Sequence, residues 1–218
     1  MTAETLSVVL DNASDGQSLG VHFAGFTEPM LHPEVAALAK QCVDHPHVSY
    51  VQLRSTGEGL TQEKLAALAQ LPLEVIWHAS PQAKGALMKH LEVVRWLMPE
   101  SKIHYVGDEL EDQSNELAGM GIDVSRGREV TRAGNLREVN PVDYPVTCKK
   151  VGRRKMPVVL PDGSCVACCN DYGLTLPIGN LAEHTWSELQ YETVRKQQSD
   201  PGCGAICFNR CHFAKRSP

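Results

Sequence analysis

The sequence predicts an α/β protein in which a parallel sheet and its helices occupy residues 1–125 and a small cysteine-rich α+β lobe follows. Three observations predict it. Short β-rich runs alternate with longer amphipathic runs as far as residue 125, which is the rhythm of βαβ units. After that point the rhythm stops and the chain turns rich in Gly, Pro, Arg and Cys. Seven of the eight cysteines then fall between Cys148 and Cys211, with Cys42 alone upstream. A chain of 218 residues buries a core without metal or disulfide staples, so this clustering needs a chemical reason. Hydrophobic content of 42%, charged content of 22% and a net charge of -5 argue against disorder and against a generally basic nucleic-acid binder. No apolar run reaches membrane-spanning length. The first residues, MTAETLSVVL, lack a basic leader region, so the reading is a cytoplasmic protein, where a reducing environment favours metal or redox chemistry over disulfides.

Element by element, the pattern gives a helix at 3–14, a strand at 20–24, a helix at 33–44 and a strand at 49–54. A helix at 61–70, a strand at 73–78, a helix at 82–98, a strand at 102–106, a helix at 110–119 and a strand at 121–125 complete the first part. Pro33 and Pro81 suit a first helical turn, whose N–H groups are unpaired in any case, and Ser80 is placed to cap the helix after it. In the longest helix Leu87, Leu91, Val94 and Met98 recur at three- and four-residue spacing, one buried stripe. Further on, MPVVL, the turn Pro161-Asp162-Gly163 and SCVACC read as a hairpin with Gly at the positive-φ position. Thr185-Trp186-Ser187-Glu188 is a capping box that opens a helix to about 196.

The hairpin lies between Cys148 and Cys168, while Cys203, Cys207 and Cys211 are spaced by four and share one face if helical. Two thiolates from each side can surround one ion or cluster, and thiolates without a histidine at ligand spacing suit zinc or an iron–sulfur cluster. A zinc site would use Cys165, Cys168, Cys203 and Cys207. Cys165 and Cys169 also read as simple buried thiols, as does Cys42.

Several segments resemble one family. Asp162-Gly163, Cys168-Cys169-Asn170-Asp171, Gly179-Asn180-Leu181 and Trp186 resemble the C-terminal SPASM or Twitch domain of radical S-adenosylmethionine (AdoMet) enzymes. The spacing from Cys148 through Gly163 to Cys168 fits that domain's opening pattern, and Arg132-Ala133-Gly134-Asn135-Leu136 resembles the linker before it. Gly25-Phe26-Thr27-Glu28-Pro29 is similar to the segment after the second barrel strand, and Ser55-Thr56-Gly57 to the turn after the third. The resemblance implies a partial parallel (β/α) barrel over 1–125, a linker over 126–145 and a cluster-binding lobe over 146–218. It implies that Gly25, Phe26, Thr27 and Glu28 hold the methionine amino group of AdoMet. One auxiliary 4Fe–4S cluster would be held by Cys148, Cys168, Cys211 and one of Cys203 or Cys207.

The sequence departs from that family in lacking the C-x-x-x-C-x-x-C motif that holds the catalytic cluster. The expectation is a protein unable to cleave AdoMet alone. It is either a fragment of a longer enzyme that modifies a peptide or small molecule, a chain whose open barrel edge at 20–24 is covered by a partner subunit, or a protein that has lost catalysis and kept a scaffold; the alternative is a zinc-stabilised non-catalytic binding module. His22, His78 and His104 fall at like positions on three expected strands, which leaves open a metal or catalytic cluster or three core histidines. Glu28, at the C-terminal end of a strand, sits where parallel barrels place their sites, or is an ordinary loop residue. Residues 126–155 carry nine basic side chains against three acidic ones. Such a stretch suits an acidic electron donor such as a ferredoxin or flavodoxin, or is a solvated loop; without interleaved aromatics it is a poor fit to nucleic acid.

Overall fold

The computed structural model describes residues 1–24, 27–79, 91–105, 124–126, 146–148, 157–166, 171, 173–174, 177–190 and 214–216. The chain divides into two units, Gln17–Glu129 and a second made of Met1–Gly16 with Val130–Pro218.

In the Gln17–Glu129 unit, strands β1 (Leu19–Phe23), β2 (Val48–Ser55), β3 (Glu74–Ala79), β4 (Lys102–Tyr105) and β5 (Val124–Arg126) form a five-stranded sheet in sequential order. Every neighbouring pair is parallel. The right-handed crossover rule for sequential parallel neighbours places the described connecting helices on one face of the sheet. The side-chain pattern agrees. Leu53, Val75 and Trp77, at alternate positions, are buried in one core with Val35 and Ala39 of helix α2 (Val35–Asp44), Leu65 and Leu68 of α3 (Gln62–Leu68), and Val94 of α4 (Leu91–Leu97). The opposite parity carries Tyr50, Gln52, Arg54 and Glu74 together with the buried Ile76, so the second face is largely polar.

Local chemistry sets the element ends. Thr61 caps α3, its side chain accepting from the Lys64 N–H at 3.2 Å. A 3-10 turn at Pro29–Leu31, not expected from the sequence, precedes α2 and has Pro at its start and Glu28 as its cap. Helix α2 accordingly begins at Val35, and Pro33 lies outside it. Of the expected stripe Leu87-Leu91-Val94-Met98, Val94 and Met98 are buried in the core; Leu87 lies outside the described residues, as do Pro81, Ser80 and the helix expected at 110–119.

In the other unit, helix α1 (Ala3–Ser14) matches its expected span. Its N-cap Thr2 accepts from the Thr5 N–H at 3.1 Å, and it buries Leu6, Val9 and Leu10 on one side. Strands β7 (Val158–Val159), β8 (Ser164–Val166) and β9 (Pro177–Asn180) form an antiparallel sheet in that order, so the expected hairpin is present as β7–β8. Its turn needs glycine: Gly163 has φ +88, and a Cβ there would lie 2.5 Å from Asn180 Oδ1. Of the expected capping box, the Glu188 half is present: Oε2 accepts from the Thr185 N–H at 2.7 Å and from its hydroxyl at 3.1 Å. Val9 of α1 packs with Cys165, Ile178, Leu181 and Leu189, and Asn12 Nδ2 donates to Leu181 O at 2.8 Å. The sequence rhythm groups α1 with the parallel sheet, whereas its contacts group it with the C-terminal strands. Strand β6 (Val146–Cys148) pairs antiparallel with β10 (Ala214–Arg216). No helix among the described residues is long and apolar enough to cross a membrane.

Candidate functional site

Two groups of polar side chains stand out on the parallel sheet. The first lies at the rim where β1 and β2 end. Glu28 leaves β1 and turns its carboxylate toward the end of β2. One oxygen accepts from the Met30 N–H at 3.0 Å and from the Ser55 hydroxyl; the other accepts from the Thr56 N–H at 2.7 Å and the Thr56 hydroxyl at 2.8 Å. Four donors use the carboxylate's roughly four lone-pair positions. Opposite it, the Lys64 ammonium donates to Met30 O and, at 3.0 Å, to Gly59 O. Gly59 has φ +76, and a Cβ there would sit 2.8 Å from Met30 O, so the two rim loops touch backbone to backbone. Of the four residues expected to hold the AdoMet amino group, Glu28 is therefore bonded within its own chain and Thr27 is exposed. Gly25 and Phe26 lie outside the described residues.

The second group occupies the polar sheet face. Glu74 accepts from Lys102 Nζ at 2.6 Å, from the Tyr50 hydroxyl and from Gln52 Nε2. These donors, Lys102 first, hold its carboxyl down at about 2. Tyr50 is raised in turn, by desolvation and by its hydrogen bond to Glu74. Gln52 is 5% exposed, and its Oε1 takes Arg54 Nε at 2.6 Å and meets His22 Nδ1 at 3.0 Å. The sequence held a signal for this face that hydrophobic pattern alone does not weigh: in SYVQLR the polar residues alternate with Val51 and Leu53.

The three strand histidines are not level. His78 pairs in register with His104, whereas His22 pairs with Gln52, which pairs with Glu74, four residues before His78. His22 and His78 share a face by parity but do not lie in one layer.

Among the cysteines, Cys42 is fully buried in α2, and burial pushes its thiol up to about 12. Cys165 is likewise fully buried, hydrogen-bonded to Gly163 O, and pushed up to about 11. Both are core residues, as their sequence reading allowed. Cys148 ends β6, where its backbone pairs with Ala214. Cys168, Cys203, Cys207 and Cys211 lie outside the described residues, as does Cys169. Among the described residues no group of three or more His, Cys, Asp or Glu is placed to hold a metal ion.

No protein-family model and no curated protein matches the sequence. Solved structures do. The chain is similar to BtrN in complex with AdoMet and 2-DOIA, with a TM-score of 0.66 at 17% identity over 96% of this chain and 79% of that one. It is similar to AdoMet-bound anSMEcpe with a TM-score of 0.58 at 15% identity over 90% of this chain and 71% of that one. Identities at this level speak to the path of the backbone. The chain thus has the fold of BtrN and anSMEcpe.

Proposed function

We propose that this chain is an iron–sulfur protein: a partial radical-AdoMet-type barrel joined to a SPASM/Twitch-like lobe that holds one auxiliary 4Fe–4S cluster. The observation that carries the reading is the β6–β10 ladder, which pairs Cys148 with Ala214. Cys211 is three residues before Ala214 in sequence, a stretch that spans at most about 11 Å, which supports reading Cys148 and Cys211 as ligands of one cluster although they are 63 residues apart in sequence. Cys168 follows β8 by two residues. The donor set would be Cys148, Cys168, Cys211 and one of Cys203 or Cys207, thiolates that suit a cluster and supply it with negative charge. When bound, such a cluster provides one-electron transfer or a site for substrate.

The zinc alternative that uses Cys165 is weakened, because that thiol is enclosed by Val9, Ile178, Leu181 and Leu189 and would leave its core to become a ligand. In the sheet unit the sequence offers only Cys42, which is buried in the core. We therefore infer that this chain alone does not cleave AdoMet, although the rim held by Glu28 corresponds to the AdoMet-bearing region implied by the family resemblance. The basic stretch 126–155 supports an acidic electron carrier as partner.

Oxygen-free purification followed by a visible spectrum and by iron, sulfide and zinc analysis tests the reading. A brown protein with about four irons per chain is expected. A colourless protein with stoichiometric zinc overturns it. An assay for AdoMet cleavage with a chemical reductant is expected to give no turnover.

A further inference from the structure

The polar sheet face holds an arrangement whose proton positions follow from its partners. Gln52 is buried between four neighbours, two of which admit only one role. Arg54 only donates, so the Gln52 atom it meets at 2.6 Å is the amide oxygen. The Glu74 carboxylate only accepts, so the atom facing it is the amide nitrogen. The amide orientation is thereby fixed from both ends. His22 Nδ1 lies 3.0 Å from that same oxygen, and an oxygen cannot donate, so Nδ1 carries the proton. In neutral His22 the free lone pair is then on Nε2. His22 is exposed, with its ring set edge-on against Tyr50 at a centroid distance of 5.6 Å.

The same amide oxygen aims Arg54. Its Nε is engaged, and its two terminal amino groups have no partner among the described residues. Arg54 is exposed. Lys102, on the same face, is paired with Glu74 at 2.6 Å. Among the described residues Arg54 is therefore a guanidinium with no ionic partner, held with the His22 imidazole on one buried amide oxygen. A planar fork of this kind matches the two oxygens of a carboxylate, and an acceptor beside it matches a hydroxyl on the neighbouring carbon.

We propose that Arg54 and His22, aimed by Gln52, form a binding site for a small hydroxycarboxylate, with Arg54 taking the carboxylate and His22 Nε2 accepting from the adjacent hydroxyl. The site requires neither a cluster nor AdoMet. Its failure is thus separate from that of the iron–sulfur reading.

The full-length protein labelled with 15N at histidine provides the test, with gluconate as probe, acetate supplying the anion alone and glucose the hydroxyls alone. Before any addition, the His22 nitrogens should show the Nδ1–H form; an Nε2–H form would overturn the proposal. Gluconate should shift the His22 signals and bind more tightly than either control. Arg54→Gln should weaken gluconate by roughly tenfold, and Arg54→Lys should restore little of it. His22→Gln should weaken gluconate while leaving acetate unchanged. Glucose binding as well as gluconate, Arg54→Gln having no effect, or no His22 shift with gluconate would each sink the idea. Both substituted side chains are exposed, and a thermal melt confirms that the variants stay folded.

Discussion

Glu74 shows how a single carboxyl on a sheet face acquires a function-like environment from purely structural partners. It gains three donors on folding, and its folded-state carboxyl lies near 2 rather than at its ordinary 4.5. The sign follows directly. A depressed folded value means stability that is fully present above about 4.5 and is lost as the pH falls toward 2. A carboxyl-detected NMR titration should place Glu74 as the last glutamate to protonate, and Lys102→Met should move it back toward the ordinary range. The Glu28 ring of donors differs in that no charged partner takes part: two backbone N–H groups and two hydroxyls satisfy it. The sequence marked Glu28 as a rim residue, since a carboxylate after a strand has a defined place in a parallel fold. Its partners were not legible, because Ser55 and Thr56 lie 27 and 28 residues further on, and only the β1–β2 register brings them near.

Among the elements, the rim loops are the joint most sensitive to single changes. Gly59→Ala places a methyl group 2.8 Å from Met30 O at a backbone angle that L side chains rarely adopt. We expect a loss of more than about 1 kcal/mol in urea denaturation, with faster amide exchange in residues 27–31. Lys64→Met should reproduce the faster exchange with a smaller stability loss, because it frees Met30 O without forcing the loops apart. Longer strands were visible in the sequence because apolar and β-branched residues accumulate over several positions, as in β2 and β3. Strands β6, β9 and β10, of 3, 4 and 3 residues, were not. Two or three alternations cannot be told from a loop, and these strands exist through partners far away in the chain. The 3-10 turn after β1 escaped for the same reason of length.

At the scale of the whole molecule, the chain is a parallel sheet in sequential strand order and a second unit that includes the first helix. Sequence rhythm found the helix to its ends but not its allegiance, because a 3.6-residue stripe says that a face is buried and not against what. Val9→Ala should therefore destabilise the strands from 157 onward, by roughly 1–3 kcal/mol, and leave exchange in β2 and β3 unaltered. Native-state hydrogen exchange read by mass spectrometry separates the two regions, and equal loosening of both would contradict the assignment. The position of α1 also has a consequence for biosynthesis. Its apolar face leaves the ribosome roughly 150 residues before Cys165, Ile178 and Leu189 exist to receive it. At about 5–20 residues per second, that is an interval of ~8–30 s in which Val9 and its neighbours have no native partner. The nascent chain must carry an unpaired amphipathic segment through the synthesis of the entire parallel sheet, which makes residues 3–14 a natural landing point for a chaperone.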